Sequence, residues 1–242
     1  MYASPSSCVM ARVAWTGQGE NHPQSHRAPG RAGAPRWVAP YALAVPIPTV
    51  RIAFLGAAQS MRGGGWVEAV KRRTSLVFPS RSRFEAVEAL RQELDVLGRV
   101  TSLQLNVVGY SWGGWTALDL VRLVTLRPER VHRNLAAADL RVTLGTLDPV
   151  GTLRFPVTLP DDERIRAWNV YQRNGCHHGC PGPAQWFAGR PVEGAIENLD
   201  ITEEGRGRPG RDGVPPDCAP DHIQVGYLGW GGYDDRVASL LE

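Results

Sequence analysis

Three side chains in this sequence could together carry nucleophilic chemistry. Ser111 stands in Gly109-Tyr110-Ser111-Trp112-Gly113, between the strand-like run LQLNVVG and a helical pattern that begins at once. A serine hydroxyl is a poor nucleophile until a base takes its proton, so the pattern calls for a histidine and for an acid to orient it. Both types occur downstream: Asp148 follows the run DLRVTLGTL, and His222 lies in PPDCAPDHIQVGYLG near the end of the chain. An imidazole that titrates near neutrality can take a hydroxyl proton and give it back.

Each of the three also has an ordinary structural reading. Ser caps helices, Asp before Pro starts turns, and His is often partly exposed. Of the six histidines, His22 and His26 fall in a Pro- and Gly-rich start, His132 follows Pro128 in a loop, and His177 and His178 belong to CHHGC. Asp200, Asp217 and Asp221 are substitute acids, with Asp221 disfavoured because it adjoins His222 and neighbouring side chains diverge.

The elements that must position these groups alternate between strand and helix. TVRIAFLG reads as a buried strand, residues 66–72 as a short helix and TSLVF as a second strand. Phe84, Val87, Leu90, Leu94 and Leu97 recur at helical spacing, with Ser82 and Glu85 fitting a capping box and Gly98 ending the helix. LQLNVVG is a third strand, residues 112–126 a helix stopped before Pro128, and DLRVTLGTL a fourth strand. RIRAWNVYQ is a further strand and YDDRVASLLE a last helix. This alternation predicts an α/β fold: a mostly parallel central sheet flanked by helices, joined by right-handed crossovers, with its site at the carboxyl ends of the strands.

Residues 1–35 are rich in Pro, Gly, Ser, Ala and Arg without apolar periodicity and read as a flexible arm. Residues 36–48 carry three prolines and suit an extended edge. Residues 36–242 are then one domain, with an irregular insertion around 175–214 that could act as a lid.

The elbow GYSWGG, following a Val-rich strand and opening a helix, resembles those of the α/β-hydrolase superfamily, especially its lipases, esterases and thioesterases. The resemblance, by element order, runs from about Val50 to the C-terminus and implies the chain order Ser, acid, His, with Ser111 as nucleophile, Asp148 as orienting acid and His222 as base. Most of the superfamily carries the acid after the second strand beyond the elbow; Asp148 follows the first, as in some lipases. The resemblance also implies an oxyanion hole from the backbone N–H of Trp112 and one from the loop after RIAFLG, taken as Ala57. Gly63 to Gly65 would let that loop move or simply turn.

A rival constellation is NGCHHGCPGP, in which Cys176, His177, His178 and Cys180 crowd together and Cys218 could join. The spacing suits a zinc tetrahedron poorly, leaving a disulfide from Cys176 to Cys180 or Cys218, or free thiols; no metal or cofactor is expected. Trp112, Trp186, Phe187 and Trp230 could line an apolar acyl pocket, whereas Trp115 is read as core.

At 242 residues, 43% hydrophobic and 21% charged, the composition is that of a globular protein, and a formal charge of +3 is too small to argue for nucleic acid. No apolar run approaches the roughly 18–20 residues of a membrane span and no Sec-type signal is evident, which leaves the location open between the cytoplasm and export by a signal-independent route. The expected function is ester or thioester hydrolysis on a small-molecule or lipid substrate. A catalytically inactive binding module and an acyltransferase are the alternatives.

Overall fold

A computed structural model describes residues 46–57, 64–150, 157–176, 184–204, 220–227 and 229–242. The arm expected at 1–35 and most of the extended edge expected at 36–48 lie outside the described residues. In chain order the strands are β1 (Thr49–Phe54), β2 (Val77–Phe78), β3 (Ser102–Tyr110), β4 (Asp139–Leu147), β5 (Val157–Thr158), β6 (Ile165–Tyr171), β7 (Val192–Glu193) and β8 (Glu197–Asp200). The helices are α1 (Gly65–Lys71), α2 (Arg83–Leu97), α3 (Trp112–Leu126), α4 (Pro128–Val131), α5 (Arg133–Ala137), α6 (His222–Tyr227) and α7 (Tyr233–Ala238).

Six strands form one sheet in the order β2-β1-β3-β4-β6-β8, with every neighbouring pair parallel, while β5 and β7 pair separately. This is the expected α/β architecture. β1, β3 and β4 begin with alternating burial, Arg51, Gln104 and Arg141 standing between buried neighbours, and become buried throughout toward their carboxyl ends, where helices cover both faces of the parallel sheet. Side-chain alternation then splits the core. Ile52, Phe54, Leu105 and Val107 pack with Leu90 and Leu94 of α2 and Val121 and Val124 of α3. Ala53, Leu55, Val108 and Leu147 face the opposite way, against Trp66 and Val70 of α1, Val225 of α6 and Val237 of α7.

Several expectations are corrected. The capping box of α2 does not form: Ser82 makes no side-chain cap, and the helix start is held by backbone bonds from Ser82 N–H to Pro79 O and from Ala86 N–H to Ser82 O. Phe84, counted on the apolar face of that helix, is 75% exposed and carries the Arg83 guanidinium on its ring. The stretch expected to be irregular around 175–214 contains β8, the edge of the sheet, whose Trp168↔Glu197 to Tyr171↔Asp200 register is set by backbone pairing rather than by an apolar pattern. His222 does not lie in a loop but opens α6.

Candidate active site

The three central strands end almost level. Tyr110 pairs with Leu147, and Leu147 pairs with Val170. Ser111 and Asp148 therefore leave adjacent strand ends at the same edge of the sheet. Their backbones stay tied to it, Ser111 N–H donating to Leu147 O at 3.0 Å and Asp148 N–H to Val170 O at 2.6 Å. Among the described residues these are the two non-glycine positions with positive φ, 59° at Ser111 and 47° at Asp148. Such backbone costs on the order of 1–3 kcal/mol per residue and persists only where its surroundings enforce it.

At Ser111 the enforcement is steric. A Cβ on Gly109 would lie 2.3 Å from the Gly113 carbonyl oxygen, and one on Gly113 would lie 2.4 Å from the Leu55 carbonyl oxygen. Both glycines of the G-x-S-x-G pattern are thus what lets α3 start directly against the ends of β3 and β1. The hydroxyl of Ser111 is left at the head of a 15-residue helix, where the first N–H groups have no intrahelical acceptor and the dipole end is positive.

His222 is delivered from the far end of the chain. Gln224 N–H donates to Asp221 Oδ1 at 2.9 Å and Asp221 N–H donates to Gln224 Oε1 at 3.1 Å, a reciprocal box that starts α6. This is the role of Asp221, which was a substitute acid on sequence alone. The Tyr110 hydroxyl donates to the His222 carbonyl at 2.5 Å, and the two rings stack with centroids 4.9 Å apart. Burial, with the nearby Asp148 charge second, pushes the Tyr110 phenol well above its ordinary value, so it stays a neutral donor.

These placements bring all three sequence-selected side chains together. His222 Nε2 lies 2.8 Å from Ser111 Oγ, and His222 Nδ1 lies 2.6 Å from Asp148 Oδ2. A carboxylate only accepts, so Nδ1 carries the ring proton and Nε2 is free to accept the serine hydroxyl. Ser111, Asp148 and His222 are 3%, 0% and 3% exposed, so the line of bonds is shielded from bulk water.

The Asp148 carboxylate has further partners that sequence reasoning missed. Gln172 donates to it twice, from its backbone N–H to Oδ1 at 3.2 Å and from its side-chain Nε2 to Oδ2 at 2.8 Å. Gly189 lies so close that an added Cβ would come 1.9 Å from Oδ1. The available signal for Gln172 was its position: it follows the last residue of β6 as Asp148 follows the last of β4.

Trp112 opens α3, which leaves its N–H in the unpaired first turn. The loop carrying Ala57 lies beside it, since a Cβ on Gly56 would sit 3.3 Å from Ser111 Cβ. The other acids and bases are placed elsewhere. Asp200 pairs with Arg173 at 3.1 Å and accepts from Thr202, while the His132 ring accepts from Asn134 N–H and lies 3.1 Å from Asp95. His22, His26, His177, His178 and Asp217 lie outside the described residues.

Of the aromatic candidates, Phe187 packs its ring on His222 with centroids 5.3 Å apart, and Trp186 is 64% exposed. Trp112 lies under the Arg81 guanidinium at 4.6 Å, and Trp115 packs against the core as expected. The Trp230 side chain lies outside the described residues. Cys176 is engaged in a disulfide and is therefore neither a free thiol nor a zinc thiolate; Cys180 and Cys218 lie outside the described residues. Among the described residues, no group of three or more His, Cys, Asp or Glu is placed to hold a metal ion, and no helix is long and apolar enough to cross a membrane.

No family model and no curated protein matches the chain. Solved structures similar to it include a "putative yden-like hydrolase" from Pectobacterium atrosepticum, at 16% identity over 80% of this chain and 91% of that one, with a TM-score of 0.39. An uncharacterized protein from Pseudomonas aeruginosa aligns at 15% identity over 60% of this chain and 22% of that one, with a TM-score of 0.28. Similarities this distant transfer no activity; the chemistry must be read from the site itself.

Proposed function

We propose that this protein is a serine hydrolase of carboxylic esters or thioesters, of the α/β-hydrolase type. The observation that carries the reading is the continuous bonded line Ser111 Oγ, His222 Nε2, His222 Nδ1, Asp148 Oδ2, at 2.8 and 2.6 Å, with Ser111 held at positive φ at the head of α3. In this reading Ser111 Oγ attacks the substrate carbonyl carbon as His222 Nε2 takes the hydroxyl proton. Asp148 keeps the imidazole in the productive tautomer and offsets the charge that develops on it.

The negative oxygen of the tetrahedral intermediate is received by the backbone N–H groups of Trp112 and Ala57, supported by the positive end of α3. Collapse breaks the bond to the alcohol or thiol, which leaves with the proton held by His222. Water, deprotonated by the same imidazole, then attacks the acyl-Ser111 ester and returns the free serine and a carboxylic acid. Phe187 against His222 and half-buried Trp112 beside Ser111 offer an apolar wall, which favours an acyl or alcohol part of apolar character.

The test is hydrolysis of p-nitrophenyl esters of graded chain length by the wild type and by Ser111→Ala, His222→Ala and Asp148→Ala, each checked for folding. Loss of turnover by at least about a thousandfold is expected for Ser111→Ala and His222→Ala. A wild type that cleaves none of the esters, or a Ser111→Ala variant as active as wild type, rejects the reading.

A further inference from the structure

We propose that Gln172 is the positioning residue of this site, setting Asp148 and His222 against each other through one buried amide. The inference rests on the hydrolase reading above for its kinetic consequence, but not for its geometry. Gln172 is fully buried. Its Nε2 donates to Asp148 Oδ2 at 2.8 Å and to the Phe187 carbonyl at 3.0 Å, and its Oε1 accepts the Gly175 N–H at 2.9 Å. Two acceptors face the nitrogen and a donor faces the oxygen, so only one orientation of the amide satisfies the site.

Those bonds join three points of the chain, one past the end of β4 and two along the connection that follows β6. One carries Asp148. Another carries Phe187, whose ring packs on His222. The third is the turn at Gly175, whose carbonyl accepts the His222 N–H at 2.9 Å and so connects the amide to the start of α6. The Gln172 backbone adds a donor to Asp148 Oδ1 and an acceptor for Gly189 N–H at 2.7 Å. An aspartate side chain can rotate its carboxylate; here donors on both oxygens fix its plane, so that Oδ2 faces Nδ1.

A residue that fixes this geometry should act on the chemical step and leave substrate binding alone. Two variants separate positioning from a merely structural tie. Gln172→Met removes all side-chain hydrogen bonds at similar volume. Gln172→Glu keeps an oxygen to accept Gly175 N–H but sets a second carboxyl against Asp148, with at most one O–H donor for the two acceptors, Asp148 Oδ2 and the Phe187 carbonyl. If Gln172 only anchored the turn at Gly175, Glu would be tolerated; as a positioning residue, Glu is at least as damaging as Met.

The experiment measures kcat and KM for the best ester, thermal melting, and the downfield proton NMR resonance of His222 Nδ1–H. Both variants are expected to lower kcat by about 10- to 100-fold with KM within about twofold, and to broaden or shift the Nδ1–H resonance while remaining folded. Wild-type kcat in Gln172→Glu, or an Nδ1–H resonance unchanged in both variants, overturns the inference. If the wild type turns over no ester, the hydrolase reading fails, and the NMR comparison alone still decides whether Gln172 holds the Asp148–His222 pair.

Discussion

The ends of β3 and β4 solve the same problem by different means. Each places a side chain of the candidate site just past a buried strand at positive φ, Ser111 at 59° and Asp148 at 47°. At Ser111 the conformation is enforced by close packing of the two flanking glycines, Gly109 against Gly113 within the turn and Gly113 against Leu55 just past β1. At Asp148 it is accompanied by bonds from residues 24 and 74 positions away, Gln172 and His222. The Ser111 turn is thus shaped mainly by its two flanking glycines, with Leu55 as a distant support, while the Asp148 carboxylate is oriented by partners that lie far along the chain.

The largest effect is expected where packing is tightest. Gly113→Ala puts a Cβ 2.4 Å from a backbone oxygen, which cannot swing aside as a side chain could. A loss of about 3 kcal/mol in denaturant unfolding, together with loss of ester turnover, is expected. Unchanged stability would remove the steric account of the elbow.

The acid side should behave differently. Gly189→Ala directs its Cβ at Asp148 Oδ1, the end of a side chain, so the carboxylate rather than the backbone gives way. Turnover is expected to fall by about 100-fold with a stability loss of only about 1 kcal/mol. Equal losses at Gly189 and Gly113 in both assays would erase the contrast between the two strand ends.

Tyr110→Phe probes the link between them, because this residue precedes Ser111 and its hydroxyl holds the His222 carbonyl. Loss of that buried bond should cost roughly 1–2 kcal/mol in unfolding and lower kcat by less than Gly189→Ala does. Equal kcat in Tyr110→Phe and wild type would show that α6 is anchored without it.

The smallest effect belongs to a site remote from the chemistry. Hydrogen bonds from Arg164 hold the Asp162 carboxyl below its ordinary value of 3.8. A carboxyl depressed in the folded state contributes stability above its unfolded value and loses it as pH falls through the native one. Asp162→Asn should therefore trail wild type by under about 1 kcal/mol at neutral pH and match it in strongly acid solution, since the pair is partly solvent-exposed. A difference that grows on acidification would reverse the sign of this contribution.

The same contrast explains what could be read from the chain. Ser111 was legible because the glycines that shape its turn are its neighbours, and β1, β3 and β4 because their β-branched and apolar residues gather toward buried carboxyl ends closed by turn residues. Asp148 and His222 could be selected by residue type and order, but their convergence depends on the level ends of β3, β4 and β6. Gln172 carried no local mark, since an amide after Tyr171 looks like any strand end. The edge strand β8 was hidden because Glu-Asn-Leu-Asp offers one apolar residue and is held by backbone pairing with β6. The helix α6 is six residues long and depends on the Asp221–Gln224 box, too short a pattern for periodicity to reveal.

The central claim is that His222 activates Ser111. Its most direct test is the rate and site of reaction with a fluorophosphonate probe, mapped by peptide mass spectrometry. The account predicts a single adduct on Ser111 in the wild type and labelling at least about 100-fold slower in folded His222→Ala. An adduct elsewhere, no adduct at all, or equal labelling rates in the two proteins would contradict it.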